Sequence, residues 1–397
     1  MNKPKLWTKN FLIITLENFF VYFTYYLLIV IIAVYATDKF HASPSMAGLS
    51  AGIFIIGAIL GRLYAGNSIE RVGHKKMLYW SFALYLVTTL LYFSINSLGL
   101  LIAIRLLHGA AFGLTSTATG TIAAEIIPNE RRGEGTGYYA LSMTIAAAIG
   151  PFLGMFLIQH ANFNANIIVC VIALSVSLLT VFTLIVPQAD LKNRELINTK
   201  GLALSNFFEA KAIPISIVTA LSCFGYSSIL TFLSAYTKSI NFMDVGSFFF
   251  IAYAAAILIS RPFTGRWFDL RGENFIIFPT FLLFTVALIM LGGAHHGYSI
   301  LLAGVFTGFG YGNFFAAALA LAVKESPLHR KALATSTYFI FADVGTGVGP
   351  FLFGFLIPIL GYRGLYFSMA AVVLATSCLY YFLHGRRSGK GVFEWET

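Results

Sequence analysis

Runs of about twenty apolar residues, separated by short polar connections, recur along the whole chain, and twelve of them are long enough to cross the hydrocarbon of a bilayer. They lie near 11–36, 47–69, 77–95, 98–125, 135–158, 166–186, 213–235, 246–267, 275–293, 298–323, 333–358 and 364–383. Each is predicted to be a helix, because a backbone in lipid has to satisfy its hydrogen bonds internally. The polar positions between the runs repeat as well. GRLYAGNSIERVGHKK, Gly61 to Lys76, returns as SRPFTGRWFDLRGENF, Ser260 to Phe275, so that Arg62, Gly66, Glu70 and Gly73 map onto Arg261, Gly265, Asp269 and Gly272 at a constant separation of 199 residues. The same shift carries Gly109 onto Gly308, Gly113 onto Gly312, Pro128 onto Pro327, Arg131 onto Arg330, and Gly150-Pro151 onto Gly349-Pro350. The chain therefore reads as two halves of six spans, 1–186 and 212–397, joined by a polar linker, 187–211.

Composition agrees with lipid as the solvent. The chain is 58% hydrophobic and 11% charged, whereas a soluble domain is roughly 25% charged. A net charge of +10 would suggest nucleic acid in a soluble protein, so the placement of the 26 Lys and Arg decides. With the amino terminus inside, only Lys39, Lys238 and Arg363 fall outside and Arg62, Arg105 and Arg261 within spans; all others are cytoplasmic. That asymmetry is the positive-inside rule; it predicts both termini in the cytoplasm of a bacterial plasma membrane and no nucleic-acid partner. Cys170, Cys223 and Cys378 stand singly, and His295-His296 lacks a third ligand, so no disulfide framework or metal site is indicated. Val34-Tyr35-Ala36 resembles a cleavage site, but the run before it is too long for a signal peptide and contains Glu17. There is no phosphate-cradling Gly-Lys-Ser/Thr loop and no nucleophile with a paired base, so neither ATP use nor an enzyme is expected, and no cofactor.

Internal duplication in an apolar chain of this length is the pattern of secondary transporters. In such a chain an ionisable group inside a span is a functional candidate by default. The first span holds Glu17 beside Asn18, then Tyr22, Tyr25 and Tyr26; the fourth holds Arg105 and His108; the eleventh holds Asp343. At 1.5 Å per residue, Glu17 lies about 12 Å in from Lys9, and His108 about 15 Å in from Leu98 on the opposite side. Similar depths predict a proton site of Glu17 and His108 with Arg105 tuning it.

The loop Gly66 to Lys76 resembles the loop between helices two and three of the major facilitator superfamily, usually G-x-x-x-D-R-x-G-R-K, with Glu70 in place of Asp and His74 in place of Arg, which makes the charge there depend on pH. Arg105-Leu106-Leu107-His108-Gly109 resembles the family's R-x-x-Q-G motif, with His for Gln, and Glu125-Ile126-Ile127-Pro128 its acid-x-x-P segment. AAAIGPFLGM, Ala146 to Met155, is similar to the antiporter-associated G-x-x-x-G-P-x-x-G-G pattern without its first and last glycines. Tyr338 to Gly354 resembles the eleventh helix of a bacterial exporter branch that includes opine-metallophore exporters and sugar or drug efflux proteins.

The resemblance implies an all-α membrane protein of two pseudo-symmetric six-helix bundles that works by alternating access. It implies a cytoplasmic gating motif at Gly66, Glu70, Arg71, Gly73, Lys75, Glu125 and Asp269, and interdomain positions at Arg62, Arg261, Gly150, Pro151, Gly349 and Pro350. Asn18, Tyr22, Tyr25, Tyr26 and Tyr311 are the candidate substrate-cavity residues. Two readings of Asp343 stay open: an ion pair with Arg62 across the halves, or a cavity-facing protonation site. The function implied is a monomeric, proton-coupled exporter of small amphiphilic molecules; the alternatives are an importer or dedicated metabolite or metallophore exporter on the same scaffold, and a non-transporting membrane sensor.

Overall fold

The computed structural model describes residues 4–185, 208–327 and 330–386. Among them there are helices and no strand. In order they are α1 (Lys9–Ile29), α2 (Ile32–Phe40), α3 (Pro44–Val72), α4 (His74–Leu90), α5 (Leu98–Ile126), α6 (Arg132–His160), α7 (Phe163–Thr183), α8 (Ile213–Ser239), α9 (Met243–Arg271), α10 (Glu273–Gly292), α11 (Gly297–Thr307), α12 (Asn313–Glu325) and α13 (Lys331–Tyr380). A π-helical turn, Gly308–Gly312, joins α11 to α12. Thr8, Ser43, Ser97 and Asn162 cap α1, α3, α5 and α7 by accepting a backbone N–H three residues on, which satisfies a donor that the helix itself leaves open.

Eleven helical stretches among the described residues are long and apolar enough to cross a membrane, against twelve predicted. The difference lies at the end of the chain. The last two predicted spans fall within one stretch, Leu333–Gly385, interrupted at Gly361, whose φ of 68° and ψ of 176° are not helical. Two other glycines with positive φ are repeat mates: Gly73 (88°) ends α3 and Gly272 (79°) ends α9, in backbone conformations that a side chain disfavours.

The chain divides into two compact units, Met1–Arg194 and Glu195–Thr397. Of the predicted linker, 187–207 lies outside the described residues, as does the tail from 387. At its described end Glu209 pairs with Arg330, and its backbone N–H donates to Thr337 Oγ1 at 2.9 Å.

In the first unit α3 runs along α5, and small residues bring their backbones together. A Cβ on Gly57 or Gly61 would overlap Leu106 or Ala110, and one on Gly109 or Gly113 would overlap the carbonyls of Phe54 or Ala58. In lipid such close packing replaces the hydrophobic drive that water would supply. The second unit repeats the device, with Gly304 and Gly308 against Phe249 and Tyr253. Gly150 and Gly349 were expected at interdomain positions; within their own units, a Cβ on Gly150 would meet Phe23, Tyr26 and Leu27 of α1, and one on Gly349 would meet Ser227 of α8. These glycines let α6 reach α1 and α13 reach α8 within one unit, while Pro151 and Pro350 sit inside α6 and α13.

Candidate functional site

The predicted trio of Glu17, His108 and Arg105 is not assembled as one site. Glu17 is fully buried, yet its Oε1 accepts from Thr180 Oγ1 on α7, and no cation pairs with it among the described residues. Its Oε2 is buried, and Ser177 Oγ, one turn earlier on α7, is a second buried hydroxyl within reach of the carboxyl.

Arg105 and His108 do belong together, in a separate buried network. Arg105 Nε and Nη2 donate to the carbonyls of Ser50 (3.0 Å) and Ala51 (3.2 Å), and its guanidinium lies over the Phe54 ring at 4.5 Å. The Thr89 hydroxyl donates to Tyr85 O at 2.7 Å, so toward His108 Nε2, 3.0 Å away, it acts as the acceptor. That places the ring proton on Nε2 and leaves Nδ1 to accept from the Tyr92 hydroxyl at 3.3 Å, while the Tyr92 oxygen accepts from Arg105 Nη1 at 3.4 Å. Every donor thus points one way, from Arg105 through Tyr92 and His108 to Thr89 and Tyr85. Both imidazole nitrogens are engaged in tying α4 and the turn after it to α5. A glutamine can supply the same donor and acceptor, so His108→Gln is expected to keep the melting temperature of the wild type. His108→Leu would leave the buried Tyr92 hydroxyl proton without an acceptor, at a cost of about 1–3 kcal/mol. Thermal unfolding in detergent measures both.

Asn18, Tyr22 and Tyr26 share one face of α1 at a four-residue spacing, and the two tyrosines are half-buried. Asn18 Nδ2 donates to Ser142 Oγ (2.9 Å), and its Oδ1 accepts from the Tyr139 hydroxyl (2.9 Å). Tyr25 does not join them. Its ring is buried and stacks on Phe54 and Phe112, both at 5.2 Å. Tyr311 is likewise core, stacked on Tyr226 at 4.0 Å with its hydroxyl 3.3 Å from Cys223 Sγ. Phe54, Tyr85 and Phe112 recur as Tyr253, Phe284 and Tyr311 under the repeat, so each unit has its own aromatic knot.

At the predicted gate, His74 Nδ1 lies 2.8 Å from Glu125 Oε2, joining the start of α4 to the end of α5. Lys75 Nζ donates to the carbonyls of Phe182 (3.2 Å) and Leu184 (2.7 Å) at the end of α7. Under the repeat His74 becomes Glu273 and Glu125 becomes Lys324, and these too are paired, at 3.0 Å. In the second clamp the acid and the base have exchanged places. His384 Nε2, 3.2 Å from Glu273 Oε1, adds a third member. Lys75 becomes Asn274, whose Nδ2 donates to Gly385 O at 3.0 Å. Gly66 faces open space and Arg71 is exposed, whereas the side chains of Glu70 and Asp269 lie outside the described residues. Arg62 lies over the Phe112 ring at 5.6 Å, Asp343 is half-buried on α13, and Arg261 is exposed on α9. The predicted Arg62–Asp343 pair would join the two units, each of which is described here by itself.

Thr180, Ser177, Thr89 and Tyr92 are partners that sequence reasoning missed. They are hydroxyls inside apolar runs, with no charge to mark them. The two clamps left a readable signal, since oppositely charged residues exchange places under the repeat.

Two repeated units of membrane-length helices with buried polar groups are the frame of a multi-pass membrane protein. The sequence profile of the Major Facilitator Superfamily matches residues 14–297 and 215–395, and the chain belongs to that family. Among its relatives, multidrug resistance protein 1 of Bacillus subtilis is 23% identical over 373 residues, covering 91% of this chain and 94% of the relative. The staphylopine export protein of Staphylococcus aureus is 22% identical over 342 residues, 84% of this chain and 86% of the relative. Among solved structures, a variant of the nucleoside transporter NupG superposes with a TM-score of 0.78 at 12% identity, over 95% of this chain and all (100%) of that one. A bacterial homologue of the lysosomal transporter Spinster gives 0.77 at 12% identity, over 96% and 98%.

Proposed function

We propose that the chain exports small amphiphilic molecules, drug-like compounds or metabolites, in exchange for protons, with both termini in the cytoplasm. The observation that carries this reading is Glu17, a fully buried carboxyl in a membrane helix held by a hydroxyl, with no cation paired to it among the described residues. A lone buried acid is costly in lipid unless it exchanges a proton, which makes it a carrier. Asn18, Tyr22, Tyr26 and Tyr139 offer neutral hydrogen bonds and ring faces beside it, chemistry suited to an amphiphile with few charges.

The multidrug resistance relative supports a broad substrate range. The staphylopine export relative favours a second reading, a dedicated metabolite or metallophore exporter. Proteoliposomes with an acidic lumen and a pH-sensitive dye separate the two: lipophilic cations, neutral amphiphiles and metal-chelating amino-acid conjugates are added in turn. Proton release with several lipophilic compounds is the expected result. Release with the chelators alone selects the second reading, and substrate movement without proton movement refutes coupling.

A further inference from the structure

We propose that the protonation state of Glu17 is read by the inner end of α7, through Thr180 and Ser177, and passed along that helix end to Lys75 on α4. This inference rests on the proton-coupled reading above and names the residues that would transmit it. The argument starts from hydrogen-bond capacity. An ionised carboxyl only accepts, and a protonated one also donates. Thr180 Oγ1 donates to Glu17 Oε1, and it also lies 3.1 Å from Val176 O and 3.0 Å from Ser177 O. It can therefore turn its single proton from the carboxylate to its own helix backbone and accept instead. Ser177 Oγ, buried within reach of the Glu17 carboxyl, is the second hydroxyl a new carboxyl proton could use. The two hydroxyls give each protonation state a different set of bonds between α1 and α7.

What those bonds hold is a helix end gripped from two other directions. One turn beyond Thr180, Lys75 of α4 takes the carbonyls of Phe182 and Leu184, and the Ile185 N–H donates to Asn10 Oδ1 at 3.2 Å. Tyr79 of α4 packs on the Phe182 ring at 5.0 Å. Lys75 follows directly on His74, which is bonded to Glu125, so the end of α7 connects Glu17 to the clamp between α4 and α5. Few other titratable groups approach Glu17 from the helices packed on α1. Tyr139 of α6 is bonded to Asn18, the Tyr85 hydroxyl of α4 donates to Val21 O at 3.3 Å, and Cys170 stands further along α7. From α5 the titratable or charged groups are Arg105 and His108, in their own network, and Glu125, in the clamp; Lys9 begins α1 itself.

The test uses the full-length transporter in proteoliposomes. Thr180→Val keeps the shape and removes the hydroxyl. It is expected to displace the pH profile of transport by about one to two units, the equivalent of one hydrogen bond to a charged group. Thr180→Ser is expected to restore the wild-type profile, and Thr180→Val added to Glu17→Gln is expected to change nothing further. A second readout needs no variant at position 180: amide exchange of residues 181–185 in the wild type should vary with pH and become pH-independent in Glu17→Gln. If Thr180→Val matches the wild-type profile, or exchange in the wild type ignores pH, while Glu17→Gln is uncoupled, the route through α7 is wrong and the proton role of Glu17 stands. If Glu17→Gln still pumps at the normal rate, the parent reading falls and the route falls with it.

Discussion

Glu17→Gln abolishes transport driven by a proton gradient and leaves substrate counterflow between two equally loaded compartments intact. The expected effect is large because coupling is a thermodynamic quantity. One proton exchanged per substrate sustains roughly a tenfold substrate gradient per pH unit, about 1.4 kcal/mol, and an uncoupled carrier sustains none. The fold is expected to survive, since Gln is nearly isosteric and suits the same surroundings. Its carbonyl can accept from Thr180, and its amide can donate to Ser177 Oγ. The variant mimics a permanently protonated carboxyl, so exchange steps that never release the proton should run at wild-type rates. The measurement pairs uphill transport under an imposed pH difference with counterflow at equal pH. Loss of both would mean that Glu17 holds the bundle together rather than carrying a proton, and retention of both would remove it from the mechanism.

The reach of sequence reasoning here follows from which physical signals lipid leaves visible. Helix positions were legible because a span must be apolar for its whole length, and the two units because the duplication kept its register. Between the last two predicted spans the break is a single residue, Gly361, out of helical conformation shortly after Pro358, so one stretch holds two helices that meet at a kink. Position along the helix could be read for Glu17 and His108, but direction around the helix axis could not. Depth alone therefore suggested a shared site, whereas Glu17 turns to α7 and His108 to the segment Thr89–Tyr92. In lipid almost every position of a helix is apolar, so the periodicity that marks a buried face in water carries little information. The same ambiguity placed Tyr25 and Tyr311 with the cavity residues when both are packed in aromatic knots. Had the repeat been applied to them, Tyr311 would have mapped onto Phe112, a ring with no polar handle.

Gly113→Ala should unfold the first unit far more readily than Gly312→Ala unfolds the second, although the repeat makes the two positions equivalent. At Gly113 the added methyl would overlap the carbonyl oxygen of Ala58, and the carbon behind it would be 2.9 Å away. Those atoms belong to the backbone of α3, so relief requires α3 and α5 to separate along a seam that Gly57, Gly61 and Gly109 also hold closed. Overpacking of this kind costs about 1–3 kcal/mol, and the upper end applies where no side chain can yield. At Gly312 the methyl meets only Cδ1 and Cγ1 of Ile257 and, at 3.7 Å, the Tyr253 ring. An isoleucine in a helix is stiff at χ1, but shifting its side chain off the preferred rotamer costs about 0.5–1.5 kcal/mol, less than parting two backbones. A built-in control comes from one turn earlier, where Gly109 faces Phe54 O and its mate Gly308 faces Tyr253 O, backbone in both units, so Gly109→Ala and Gly308→Ala should be comparably damaging. The readout is the melting temperature and monodisperse yield of the four variants in one detergent. The seam argument predicts three low values and one near the wild type, with Gly312→Ala as the exception. Equal loss at Gly113 and Gly312 would show that the second unit is as rigid at Ile257 as the first is at Ala58, and that a flexible side chain facing the glycine gives no relief in these helices.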